Sequence, residues 1–147
     1  MAKSELKKAK DKAWNAFSKY IRLRDCLITM DSTHEGACVT CDRVYDFKHT
    51  QAGHFIPGRH NAVLFREDMV HLQCAGCNLN PPHGKGGNTI KYWPFMEKIY
   101  GRERVDKMIE ESTQEVIYKI PDYRDIEALY KQKFLDLMKD HSKASWI

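Results

Sequence analysis

Cys38-Val-Thr-Cys41 and Cys74-Ala-Gly-Cys77 form two Cys-x2-Cys pairs, and they constrain the fold more than any other feature of the chain. Two such knuckles supply four thiolates, the number that closes a tetrahedral Zn²⁺ site and leaves no position open for substrate. The zinc expected here is therefore structural, tying the chain before residue 42 to the chain after residue 73. Cys26 stands apart, so the five cysteines make an awkward disulfide framework but a natural reduced metal site with one spare thiol. Between the pairs lies Gly53-His-Phe-Ile-Pro57, and Asn78 directly follows the second pair. A histidine and an asparagine held on a zinc scaffold offer a proton acceptor and an oxygen ligand for a second, harder cation.

A chain of 147 residues suits one domain, 1–147, able to bury about 70% of its unfolded surface, so zinc is not needed merely to offset small size. No apolar run approaches the ~18 residues of a membrane span. The opening Met-Ala-Lys-Ser-Glu-Leu-Lys-Lys lacks the apolar stretch of a signal peptide, so a cytoplasmic protein without membrane partners is expected. Charge is unevenly placed. Residues 1–24 hold eight of the 24 lysines and arginines beside only Glu5 and Asp11, so this segment carries the whole net positive charge. Lys7, Lys8, Lys10 and Lys12 are the candidate phosphate contacts, the alternative being a merely solvated helix face.

The spacing of Leu6, Ala9, Ala13, Phe17 and Ile21 predicts an amphipathic basic helix over 1–25, with Trp14 and Tyr20 widening its apolar stripe. Asp31 to Gly36 reads as a loop, and strand-like pieces surround Val44-Tyr45, His54-Phe55-Ile56 and Val70 to Gln73. A short helix begins within Cys74 to Asn78 and is stopped by Pro81-Pro82. Residues 88–140 read as a helical C-terminal part: a helix capped by Asn88, one over about 102–111, and one over about 123–140 after Pro121. On the last, Ile126, Leu129, Tyr130, Phe134, Leu137 and Met138 are expected to face inward. The class is α+β, with residues 36–80 as a zinc-stapled strand, strand, helix core.

That outline is a ββα-metal finger of the His-Asn-His (HNH, His-Me finger) type. Phe17-Ser-Lys-Tyr-Ile-Arg-Leu-Arg-Asp25, Cys38-x-x-Cys41, Gln51-Ala-Gly-His-Phe55, Val70-His-Leu-Gln-Cys74, Cys77-Asn78 and Gly87-Asn88 with Tyr92 resemble the phage recombination nucleases called NinG or Rap. The likeness runs from about Ala13 to Lys139. More distantly, the knuckles, the intervening His and the Cys-Asn step resemble phage endonuclease VII. The resemblance implies a Mg²⁺- or Mn²⁺-dependent endonuclease in the bacterial host cytoplasm, hydrolysing branched DNA such as D-loops and Holliday junctions. It leaves open a homodimer and phage or host recombination proteins as partners beside branched or duplex DNA.

Phosphodiester hydrolysis needs a base for water, a cation for the charge on phosphorus, and stabilisation of the leaving 3′ oxygen. His54 is the candidate base; a hydrogen-bonded packing residue is the plainer reading. Asn78 is the candidate ligand of the catalytic cation, or else a helix cap. His71 could touch phosphate, support His54, or fill space. Arg59 and His60, in the turn after the strand, suit phosphate contact or plain solvation.

Two positions depart from the wider pattern. Such fingers carry an Asp or His before the base, where this chain has Gly53, and the NinG-like pattern has an acid where this chain has Gln51, the second candidate ligand of the catalytic Mg²⁺ or Mn²⁺ and a weaker, neutral one. They also carry an Asn to orient the base, where this chain has Met69. His71, Gln73 or a backbone carbonyl would have to take over that second task. Gly53, Gln51 and Met69 thus favour the rival reading, a zinc-finger branched-DNA-binding module that does not cut. A restriction or homing nuclease would need a separate target-recognition domain, for which this length leaves no room.

Overall fold

The N-terminal stripe forms one long helix, α1, Glu5–Met30, in a computed structural model that describes residues 3–147. Met1 and Ala2 of the expected 1–25 helix and 1–147 domain lie outside the described residues. Ser4 caps the helix by accepting from the backbone of Lys7 at 3.1 Å, and Asp31, in the left-handed conformation, ends it. The helix runs five residues past the predicted end. Cys26, Leu27 and their neighbours continue the buried stripe, and no breaker interrupts them.

The expected 31–36 loop instead leads into a strand, β1 (Glu35–Ala37), paired antiparallel with β2 (Val44–Asp46). A 3₁₀ turn, Phe47–His49, follows. β3 (Thr50–His54) and β4 (Val70–Cys74) form the second antiparallel pair, in the register Gln51↔Gln73, Gly53↔His71 and His54↔Val70. The strand predicted at His54 to Ile56 therefore ends where it was expected to begin, because the preceding residues hold the ladder. A four-residue helix, α2 (Asn61–Leu64), sits in the β3–β4 connection, and α3 (Ala75–Asn78) follows β4 directly. α4 (Thr89–Tyr100), α5 (Arg102–Glu111) and α6 (Ile120–Lys139) complete the chain.

The β3–β4 pair is covered on both sides. One core, with Phe17, Ile21, Leu27, Val70, Tyr130 and Leu137, lies between α1, α6 and the sheet. The other, with Phe55, Val63, Met69, Tyr92, Met96 and Met108, joins it to α4 and α5. Every residue of β4 is buried, so its two polar side chains, His71 and Gln73, must find partners inside the protein.

Several expected inward residues are not inward. Leu129 and Met138 are half exposed, because α6 meets the core it shares with α1 through Tyr130 and Leu137, with Ile126 and Phe134 beside them. α6 begins before Pro121, which occupies its first turn where its missing N–H is not needed. Arg24, one of the eight basic residues of the segment 1–24, is buried. It binds Asp25 at 2.7 Å and the carbonyls of Glu67 and Val70, while Asp25 accepts from the Leu72 amide and the Trp146 indole. No helix among the described residues is long and apolar enough to cross a membrane.

Candidate functional site

Cys38, Cys41, Cys74 and Cys77 place their sulfurs within 4.8 Å of one another, a cluster positioned to bind one metal ion. Cys41 and Cys74 are 3.8 Å apart, far longer than a disulfide and close to the edge of a tetrahedron with ~2.3 Å metal–sulfur bonds. The arrangement suits structural zinc. Around it, the Thr40 hydroxyl lies 3.3 Å from Cys38 Sγ, and Asn88 Nδ2 donates to Cys77 Sγ at 3.4 Å. Such donors favour the thiolate forms. Asn88 opens α4 in position but spends its side chain on the cluster rather than on a cap. Cys26, as expected, is not part of the group; burial pushes its thiol up to about 12.

The cluster ties the β1–β2 connection to the junction of β4 and α3, and beside β3 and α3 opens a cavity of about 660 Å³. His54 at the end of β3, Gln51, Asn78 on α3 and Arg59 all line it. So do Trp14, Ser18 and Arg22 of α1, and no acidic residue does. His54 is almost fully buried. Its Nε2 lies 3.2 Å from the carbonyl of Leu64, which can only accept, so Nδ1 is left as the acceptor of the ring. A backbone carbonyl thus does what the absent Asn at Met69 would do; Met69 itself is core. Burial, with smaller help from Arg59 and His60, lowers the His54 pKa to about 4 against the pull of that hydrogen bond, so the imidazole is neutral at neutral pH.

His71 lies elsewhere. It is fully buried, does not line the cavity, and has both nitrogens engaged. Tyr92 donates to the carbonyl of Gly53 at 2.7 Å, so its oxygen accepts from His71 Nδ1 at 3.0 Å, and Tyr100 donates to His71 Nε2 at 2.8 Å. This burial keeps His71 out of the cavity, and Tyr92 links it to the carbonyl of Gly53, the residue before His54.

Asn78 Nδ2 donates to Gln51 Oε1 at 2.7 Å, so the Gln51 oxygen predicted to face a metal is turned to Asn78 instead. Asn78 Oδ1 remains. It points toward Gly53, at 3.0 Å from where a Cβ would stand, and the side-chain oxygen of Gln73 is nearer still. A hard cation takes neutral oxygens of this kind, so the residues present fit one.

The phosphate candidates divide. Arg59, in a left-handed conformation, lies over Trp14 at 4.5 Å, and Trp14 stacks on His54 with ring centres 5.3 Å apart. His60 instead donates to the carbonyl of Ser112 at 2.7 Å, pinning the loop to the end of α5. Lys7 and Lys10 line a smaller hollow of about 240 Å³ that shares Trp14 and Arg59 with the main cavity, whereas Lys8 and Lys12 line neither. Lys7 is also paired with Asp11 at 2.7 Å. Sequence reasoning missed Trp14, Ser18 and Arg22 as cavity residues. Lys7, Lys10, Trp14, Ser18 and Arg22 recur at three- and four-residue steps, a polar-edge stripe that could have flagged them.

The family model described as Bacteriophage Lambda NinG protein matches residues 1–140. Among curated proteins, the chain is 28% identical over 134 residues to "Protein ninG" of Escherichia phage 933W, covering 90% of this chain and 60% of that protein. It is likewise 28% identical to "Protein ninG" of Escherichia phage lambda, covering 90% of this chain and 59% of that one. The chain therefore spans about 60% of the length of these relatives. No solved structure matches it. With its four-cysteine cluster and its helix-wrapped strand pairs, this chain belongs to the phage NinG protein family.

Proposed function

We propose that the protein is a metal-dependent endonuclease of the HNH type that hydrolyses phosphodiester bonds in branched DNA. The observation that carries this reading is the convergence of His54 and Asn78 on one acid-free cavity beside a cysteine-stapled β3–β4–α3 unit. His54 Nδ1 takes a proton from water, whose oxygen forms the new bond to phosphorus while the bond to the 3′ oxygen breaks. The Leu64 carbonyl holds the ring in the tautomer this requires. Arg22 and Arg59, which both line the cavity, bind the phosphate, and Lys7 and Lys10 extend that path along α1. A Mg²⁺ or Mn²⁺ ion held by Asn78 would offset charge on the phosphate and on the leaving oxygen. Cytoplasmic action on host or phage recombination intermediates belongs to the same proposal.

Two observations favour a second reading, a branched-DNA-binding module that does not cut: Gly53 has no side chain to offer a metal, and Gln51 is occupied by Asn78. Incubation of the protein with labelled junctions, flaps, D-loops and linear duplex in EDTA, Mg²⁺ and Mn²⁺ separates the two. Cleavage that needs the metal and disappears in His54→Ala supports the nuclease. Tight binding of junctions with no cutting in either metal establishes the module.

A further inference from the structure

Gln73 is fully buried on β4, and its nitrogen dictates its orientation. Nε2 donates to the Thr40 hydroxyl at 3.0 Å and to the carbonyl of Gly87 at 2.8 Å; a carbonyl cannot donate back, so the amide cannot be turned round. Its oxygen, Oε1, is then the single buried side-chain nitrogen or oxygen among the described residues with no hydrogen-bond partner. Leaving such a group unpaired is costly, and buried polar atoms of this kind call for an explanation.

The surroundings supply one. Oε1 lies 1.8 Å from the point where a Cβ on Gly53 would stand, so residue 53 must be glycine for that oxygen to be there. The same point is 3.0 Å from Asn78 Oδ1, and the two amide oxygens are at most the sum of those distances apart. The Asn78 nitrogen is spent on Gln51, so two neutral oxygens from β4 and α3 converge with no donor between them. Two acceptors facing one spot suit a hard divalent cation, which takes oxygen ligands at about 2.0–2.6 Å.

We propose that Gln73 Oε1 is a ligand of the divalent cation together with Asn78 Oδ1, delivered from β4 to the place that a side chain on residue 53 would otherwise fill. In functional meaning the site rests on the nuclease reading; as a metal site it stands on its own geometry. Gln51 becomes the residue that orients Asn78 rather than a ligand. Because both protein ligands are neutral, the cation brings its full charge to the phosphate.

The test is Mn²⁺ binding to the zinc-loaded full chain without DNA, read from the loss of the free Mn²⁺ signal by electron paramagnetic resonance. Wild type is expected to bind one Mn²⁺, and Gln73→Ala to bind it at least about ten-fold more weakly. Gly53→Ala keeps the Gln73 side chain but displaces its oxygen, and should weaken Mn²⁺ similarly while zinc stays at one per chain. Gly53→Asp in the Gln73→Ala background returns an oxygen from the neighbouring strand and should restore binding. The proposal is overturned if wild type binds no Mn²⁺, if Gly53→Ala binds it as wild type does, or if the double variant, folded and zinc-loaded, recovers none. Expected Mn²⁺ behaviour without cleavage of any DNA would sink the nuclease reading alone. Metal-dependent cleavage with Mn²⁺ affinity indifferent to residues 53 and 73 would sink the ligand assignment alone.

Discussion

Tyr92 and Gly53 are joined by a hydrogen bond of 2.7 Å, from the phenol of α4 to the carbonyl just before His54. Because the same phenol accepts from His71, removing it orphans two buried groups at once. Tyr92→Phe should cost about 1–3 kcal/mol, seen as a lower urea midpoint with an unchanged slope. A midpoint within error of wild type would mean that the brace contributes nothing.

The cysteine cluster closes the chain from β1–β2 to α3, so its metal should be inseparable from the fold of this region. Cys74→Ser, or strong chelation, should abolish the ordered state between residues 38 and 77, since structural zinc contributes about 10 kcal/mol or more to small sites. The checks are metal content by mass spectrometry and amide exchange across β3 and β4. A metal-free preparation with protected amides there would refute it.

His54 links pH to stability. Its folded value of about 4 lies below the ordinary 6.5 of the unfolded chain, so above pH 6.5 neither state carries the proton. As pH falls from 6.5 toward 4 the unfolded chain takes up a proton that the buried ring refuses, and stability is lost, by up to about 3 kcal/mol. His71 is depressed in the same direction by burial. His54→Gln should therefore show a shallower decline than wild type over this window in parallel denaturant titrations. Identical declines would place the His54 proton elsewhere.

The lysines of α1 should act unequally on DNA. Lys7→Glu with Lys10→Glu, on the cavity side, should weaken binding to every DNA structure and reduce the salt slope by roughly 0.9 per lost contact. Lys8→Glu with Lys12→Glu should change it much less. Equal effects in fluorescence anisotropy would show that helix charge, not the path to the cavity, governs affinity.

Much of this was legible from residue order. The paired cysteines, the stripe of Phe17 and Ile21, and the Gly and Pro punctuation each fix local structure through chemistry that needs no distant partner. What escaped depends on distant partners. Leu129 and Met138 match a helical period but lie beside the line on which α1 rests. His71 and Gln73 look alike as polar residues on one strand face, yet one is fully paired by tyrosines 21 and 29 residues away and the other is left with a bare oxygen. The pairing of Gln51 with Asn78 and of Arg24 with Asp25 likewise depends on the folded arrangement, which residue type alone does not give.

The packing of α1 on α6 also sets an order of assembly. The apolar stripe of α1 is made before its main helical partner α6, so a chain emerging from the ribosome carries Phe17, Tyr20 and Ile21 without Tyr130 and Leu137 until α6 has been made. The fourth cysteine, by contrast, has been made before α4 begins. Metal capture can thus precede closure of the helical core, leaving the nascent chain a stapled hairpin beside an uncovered α1 until α6 arrives.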